Sequence, residues 1–261
     1  MLTAISNVKI DESNSEQILD FLCCLKSIQP IDTITETIIN IEDPSDSFFN
    51  NVEKFVRTNL KNATVFCYGK KTHNSFGEIC VELINHLSEK TKYVTMVESD
   101  HFCLVDSMNP LSKEFLYLME RYSVDVVRAS FNKIENTSAD GVENLLYENH
   151  LCRIFEMNEE NYLKFQHKYP RYYIGTNCIF KKDFATKLFS QNVQNHPHFS
   201  PHKPHAFEIP LYSESFKHVV LIPKFEFFSP MLDENHGESN ISIKLRKPEH
   251  YSKALASIIW K

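Results

Sequence analysis

The sequence predicts an α/β protein: a single, mostly parallel sheet flanked by helices, with a less regular C-terminal half. Three observations predict it. Strand and helix periodicities alternate four times across the first 130 residues, the pattern of parallel strands joined by crossover helices. The connections between these segments are short, and the strands are compact apolar runs. Finally, 261 residues with 42% apolar and 24% charged side chains are enough to bury one substantial core. With no internal repeat, residues 1–261 are expected to form one domain, in halves 1–130 and 131–261.

Taken in order, a short opening strand falls near residues 5–10. Ile18, Leu19, Leu22, Leu25 and Ile28 recur at helical spacing, predicting a helix over 15–29. A β-rich run over 35–41 ends in Glu42-Asp43-Pro44-Ser45-Asp46, a loop by its proline and short polar side chains. Phe48, Phe49, Val52, Phe55, Val56 and Leu60 repeat the helical pattern, and 63–68 is a strand. Phe76, Ile79, Cys80, Leu83, Ile84 and Leu87 make the third helix, 93–97 a buried strand, 111–122 a helix and 124–129 a strand. Beyond 135 the expectations are helices over 140–149 and 159–168, a strand over 172–180, a helix over 183–190, a Pro- and His-rich loop over 195–210, and strands over 219–222 and 225–228.

Composition narrows the function. A net charge of −6 and a pI near 6.1 disfavour nucleic acid as the ligand. Lys181-Lys182 and Lys244, Arg246 and Lys247 read as solvated surface. The N-terminus lacks the basic start and apolar core of a signal peptide, and no window is apolar enough to span a membrane. Seven cysteines without a CxxC pair fit a reducing compartment, so a cytoplasmic location is expected. The five glycines, at 69, 77, 141, 175 and 237, form neither GxGxxG nor a P-loop. A diphosphate bound here needs another means of neutralisation.

Ligands of open α/β sheets sit beyond the carboxyl ends of the strands. Three loops are thereby expected at one crevice: 42–46, 69–75 and 98–101. The last begins with Glu98-Ser99-Asp100-His101, two carboxylates one residue apart after a buried strand. Carboxylate oxygens suit Mg²⁺ or Mn²⁺, and such a cation offsets a diphosphate leaving group. Solvated strand-end acids are the plain alternative.

The series Leu22-Cys23-Cys24-Leu25-Lys26-Ser27-Ile28, then Ile38-Ile39-Asn40-Ile41-Glu42-Asp43-Pro44-Ser45-Asp46, resembles the opening of GT-A-fold, family-2-like glycosyltransferases, which are Rossmann-like in architecture. Val97-Glu98-Ser99-Asp100-His101 is similar to that family's acidic metal motif, with Glu98 where Asp is usual. The resemblance covers residues 1–130 well and the remainder loosely. It implies a nucleotide-binding first half and an acceptor-binding second half. Carried over by position, Asp43, Asn74 and Ser99 would meet the nucleotide, and Asp100, Glu98 and His236 would hold Mn²⁺ or Mg²⁺. Gly175-Thr176-Asn177 resembles the turn beside the donor sugar, so Gly175 and Asn177 are placed there. Glu208 occupies the position of an inverting family member's base, or is simply a first-turn helix glutamate. His205, with His196, His198 and His202, belongs to a loop over the acceptor entrance, with a zinc site as the lesser reading.

The implied activity is transfer of a sugar from a nucleotide-diphosphate donor, a UDP-sugar by first choice, to a glycan or glycolipid hydroxyl. Such chemistry belongs to polysaccharide biosynthesis, with peripheral membrane association through the acceptor. Two rivals stand beside it: a nucleotidyltransferase using the same carboxylates, and a GT-A-like binding module without catalysis.

Overall fold

The strand and helix periods of the first half are realised in chain order in the computed structural model, which describes residues 1–68, 76–97, 99, 101–103, 105–128, 145–157, 178–190, 218–224 and 228–230. The elements are β1 (Leu2–Val8), α1 (Ser15–Ile28), β2 (Ile34–Ile41), α2 (Asp46–Asn59), β3 (Ala63–Phe66), α3 (Phe76–Asn85) and β4 (Tyr93–Met96). There follow β5 (His101–Cys103), α4 (Val105–Arg121), β6 (Val126–Val127), β7 (Leu145–Glu148), β8 (Cys152–Met157), β9 (Ile179–Lys181), α5 (Lys182–Phe189), β10 (His218–Pro223) and β11 (Phe228–Pro230).

Among the described residues, nine strands form one sheet in the order β3-β2-β1-β4-β9-β6-β10-β8-β7. The pairs β3–β2, β2–β1, β1–β4 and β6–β10 are parallel. The pairs β4–β9, β9–β6, β10–β8 and β8–β7 are antiparallel. Only β8 and β9 therefore run against the rest, and both belong to the less regular second half.

Alternation along the strands builds two cores, one on each face. Leu2, Ala4 and Val8 of β1, Ile39 and Ile41 of β2, and Tyr93 of β4 pack with α1, α2 and α4 through Phe21, Leu22, Leu25, Val56 and Phe115. Ile5, Ile38, Val94 and Met96 face the other way, onto Cys80 and Leu83 of α3 and Phe184 and Leu188 of α5. The result is a three-layer α/β/α arrangement, in which a strand slip of one residue would exchange the two cores.

Besides β5 and β8, which no expected strand covers, the following elements depart from the sequence expectations. The opening strand starts at Leu2, three residues early. Helix α4 begins at Val105 and runs through Pro110, although proline removes one intrahelical bond. Contacts to the connection between α1 and β2 hold it: Asn109 donates to the Pro30 carbonyl (3.1 Å) and accepts from the Asp32 N–H (3.0 Å). The described part of 140–149 is strand β7, where a helix was expected. There Asn149 Oδ1 accepts from the Leu151 and Cys152 N–H groups (2.8 and 2.9 Å). This Asx turn folds β7 back onto β8, and tertiary pairing overrides the local helical pattern. The expected helix over 159–168 and the loop over 195–210 lie outside the described residues.

Candidate functional site

The chain leaves β1 outward through β2 to β3, then returns to pair β4 on the other flank of β1. This reversal is the topological switch point of an open α/β sheet, and it opens a crevice beyond the carboxyl ends of β1 and β4. Val97 and Ser99, which follow β4, stand at that point.

The backbone on each side of residue 98 is anchored. Val97 continues the β1 ladder, donating to the Ile5 carbonyl (2.8 Å). Its own carbonyl accepts from Ser6 Oγ (2.7 Å), whose side chain is 1% exposed. One turn on, the Ser99 carbonyl accepts from Cys24 Sγ of α1 (3.2 Å). Immediately afterwards β5 pairs with β11, Cys103 opposite Phe228 and His101 opposite Pro230. Strand β4 ends at Met96, and Glu98 and Asp100 lie outside the described residues.

A second polar feature crosses the same edge. Asn7 of β1 and Asn40 of β2 are register partners on the α3 side of the sheet. Asn40 is 0% exposed. Its Oδ1 accepts the Tyr68 N–H (2.6 Å), and its Nδ2 donates to Asn7 Oδ1 (2.7 Å) and lies 3.5 Å from the Tyr68 carbonyl. Asn7 Nδ2 in turn donates to Glu42 Oε1 (3.0 Å). Glu42 follows β2 and carries the parallel ladder one residue further, its N–H donating to the Val8 carbonyl (2.9 Å). Burial and the Glu42 carboxylate beside it hold the Cys80 thiol well above its ordinary value.

Asp43 is exposed and has φ 48°, a left-handed conformation that aspartate tolerates better than most residues. It turns the chain from β2 into α2. Ser45 then caps that helix, its Oγ accepting from the Phe48 N–H (3.2 Å). Glu12 from the β1–α1 loop receives both the Ser45 N–H and its hydroxyl (2.5 Å each), tying two rim loops together. Desolvation, then the Asp43 and Asp46 carboxylates, push the exposed Cys67 thiol up. The ends of β2 and β3 thus form a locally negative rim.

Of the residues singled out by sequence, Asp43 and Ser99 stand at this carboxyl edge. Asn74, Glu98, Asp100, Gly175, Asn177, His205, Glu208 and His236 lie outside the described residues. Among the described residues, no group of three or more His, Cys, Asp or Glu side chains could hold a metal ion. No described helix is long and apolar enough to cross a membrane. Sequence reasoning passed over Asn7, Asn40 and Glu42 as site residues. The available signal was Asn40 itself, an amide inside the apolar run Ile38-Ile39-Asn40-Ile41 of a central strand.

The sheet order, the two helical layers and the switch-point crevice define a GT-A-type α/β fold. No family model and no curated protein matches the sequence. Among solved structures, S. aureus TarS 1–349 is similar over 88% of this chain at a TM-score of 0.51 and 11% identity. This chain spans 60% of that one. UDP-glucose pyrophosphorylase complexed with UDP-glucose matches 85% of this chain and 91% of its own (TM-score 0.48, 10% identity). HddC from Yersinia pseudotuberculosis matches 99% and 100% (TM-score 0.47, 11% identity). At 11% identity the likeness to TarS is one of fold.

Proposed function

We propose that the chain is a metal-assisted glycosyltransferase that moves a sugar from a nucleotide-diphosphate donor, a UDP-sugar by first choice, to a hydroxyl of a glycan or glycolipid. The supporting observation is that Val97 and Ser99, the described neighbours of Glu98, stand at the switch point. The backbone leading into and out of residue 98 is held by Ser6 and Cys24 where an α/β sheet takes its ligand.

Glu98, Asp100 and His236 are the residues assigned to Mn²⁺ or Mg²⁺, an oxygen-rich donor set suited to a hard cation. Bound there, the cation would neutralise the diphosphate as it departs. Asp43, Asn74 and Ser99 would border the nucleotide. Gly175 and Asn177 would border the donor sugar, with His205 on the acceptor side. Glu208 would take the proton of the acceptor hydroxyl as that oxygen bonds to the anomeric carbon. The anomeric bond to the diphosphate breaks in the same displacement and the nucleoside diphosphate leaves. This assignment makes the reaction inverting.

The test is donor turnover by wild type and Asp100→Ala, with circular dichroism as the control on folding. Loss of turnover in a folded variant is expected; unchanged turnover removes the proposal. Release of inorganic pyrophosphate from a nucleoside triphosphate would favour the nucleotidyltransferase instead. A protein that binds nucleotide diphosphates without turning over any donor would be the binding module.

A further inference from the structure

A cavity of about 500 Å³ opens at the amino end of β4, on the edge of the sheet opposite the crevice. Its size is within the range that takes a small-molecule ligand. Strand β4 runs between the two edges, with Tyr93 at the cavity and Val97 past its far end, a rise of about 13 Å. The walls are built from elements already fixed in place. Met119 and Glu120 belong to the last turn of α4, which closes where the Val124 N–H donates to the Met119 carbonyl (2.9 Å). Lys181 ends β9 opposite Tyr93. Lys182 opens α5, its N–H donating to the Lys92 carbonyl (2.9 Å).

The chemistry of these walls selects among ligands. Lys92, Lys181 and Lys182 line the cavity together with Glu89, Glu120 and Asp183, so their charges cancel. Lys92 and Glu120 already pair with each other (3.2 Å). A balanced wall exerts little net pull on a free anion or cation. It does set ammonium groups, which only donate, beside carboxylates, which only accept. A sugar hydroxyl does both. Tyr93 supplies the second observation. It is 9% exposed, its ring lies in the core with Phe115 and Met119, and its hydroxyl makes no hydrogen bond among the described residues. Burial, then the Glu120 carboxylate, hold the phenol proton above its ordinary range, and Lys92 opposes them. The oxygen therefore stands at the cavity wall, with its bonding capacity unused although hydroxyls so placed are usually paired. Thr91 beside it is the contrast: its hydroxyl meets Thr3 (2.9 Å), which donates to Glu36 (3.0 Å).

We propose that this cavity is a binding site for a neutral glycan segment, whose hydroxyls are met by Tyr93, the lysines and the carboxylates. The proposal goes beyond the transferase reading and needs nothing from the crevice. With both in place, a long acceptor would be gripped at the edge of the sheet away from the reaction.

The test titrates maltohexaose, cellohexaose and hexa-N-acetylchitohexaose into the full chain, read by saturation-transfer NMR and calorimetry, with inorganic phosphate as the anionic comparison. At least one hexasaccharide should bind, with an affinity that changes little between low and high salt, since the ligand carries no charge. Tyr93→Phe should weaken it about three- to tenfold, the scale of one neutral hydrogen bond. The thermal midpoint of that variant should stay level or rise, because the hydroxyl removed has no partner to lose. Lys181→Ala and Glu120→Ala should weaken binding as well, one by removing a donor and the other an acceptor. Absence of binding by all three sugars at millimolar concentration overturns the proposal. So does equal affinity in wild type, Tyr93→Phe and Lys181→Ala, or binding of phosphate in place of the sugars. Asp100→Ala should bind the hexasaccharide as wild type does, so loss of the transferase reading and loss of this site are told apart.

Discussion

Gly77 lies in the first turn of α3, and a methyl group at its Cα would stand 2.4 Å from the carbonyl oxygen of Phe189, at the end of α5. That is about 1 Å inside ordinary contact, and the obstacle is backbone, which cannot rotate away. Phe189 is buried and meets Phe180 edge-on at 5.8 Å, so retreat of α5 disturbs the core beneath. Two effects compete in Gly77→Ala. Helix propensity favours alanine by up to about 1 kcal/mol, and overpacking opposes it by about 1–3 kcal/mol. Against main chain the steric cost should win, leaving the variant about 1–2 kcal/mol less stable. Urea denaturation gives the value directly, and a lowered melting temperature of roughly 2–4 °C per kcal/mol is the calorimetric counterpart. An alanine variant as stable as wild type, or more so, would refute the close approach of the two helices.

Three further outcomes are expected. Ser45→Ala removes the cap of α2 and the anchor of Glu12, and should cost about 1 kcal/mol or more in urea titrations, with Ser45→Thr retaining most of it. Alkylation of Cys67 needs the thiolate, and burial and nearby carboxylates push that thiol up. Its iodoacetamide reaction at pH 8, followed by mass spectrometry, should lag a free thiol, and Asp43→Asn should speed it. Asp125 is held above its ordinary range, chiefly by desolvation, against the opposing Val219 N–H bond (2.9 Å) and the charges of Lys181 and Lys187. The folded protein then keeps this proton to higher pH than the unfolded chain, so the residue's contribution falls as pH rises through that interval. Asp125→Asn preserves an acceptor for Val219 and should gain on wild type from acid to neutral pH; a gap that widens toward acid instead would contradict the shift.

What could be read from the sequence is the local part of the molecule. Helices α1, α2, α3 and α5 and strands β2, β3, β4 and β10 follow from apolar spacing, because each buries one stripe or face that the sequence displays. The crevice was also legible, since strand direction alone puts the loops after β2, β3 and β4 on one edge. Long-range pairing was not. The β5–β11 ribbon joins short segments 125 residues apart with no periodic signal, and β7 becomes a strand only because the Asn149 turn offers it β8. The Asn7–Asn40–Glu42 hydrogen-bond chain was hidden for a related reason. Its members look unremarkable one at a time, and only the parallel register of β1 with β2 sets the two amides side by side. Asp43 and Ser99 occupy the expected edge.

The ribbon also bears on when the site is finished. Residues 101–103 emerge in synthesis about 125 residues before their partner strand, 228–230. The segment that follows Ser99 thus waits on the second half of the polypeptide for its pairing, and a fragment of the first 130 residues would lack that ribbon. The pairing next to Ser99 is a product of contact between the two halves of the sequence, acquired late.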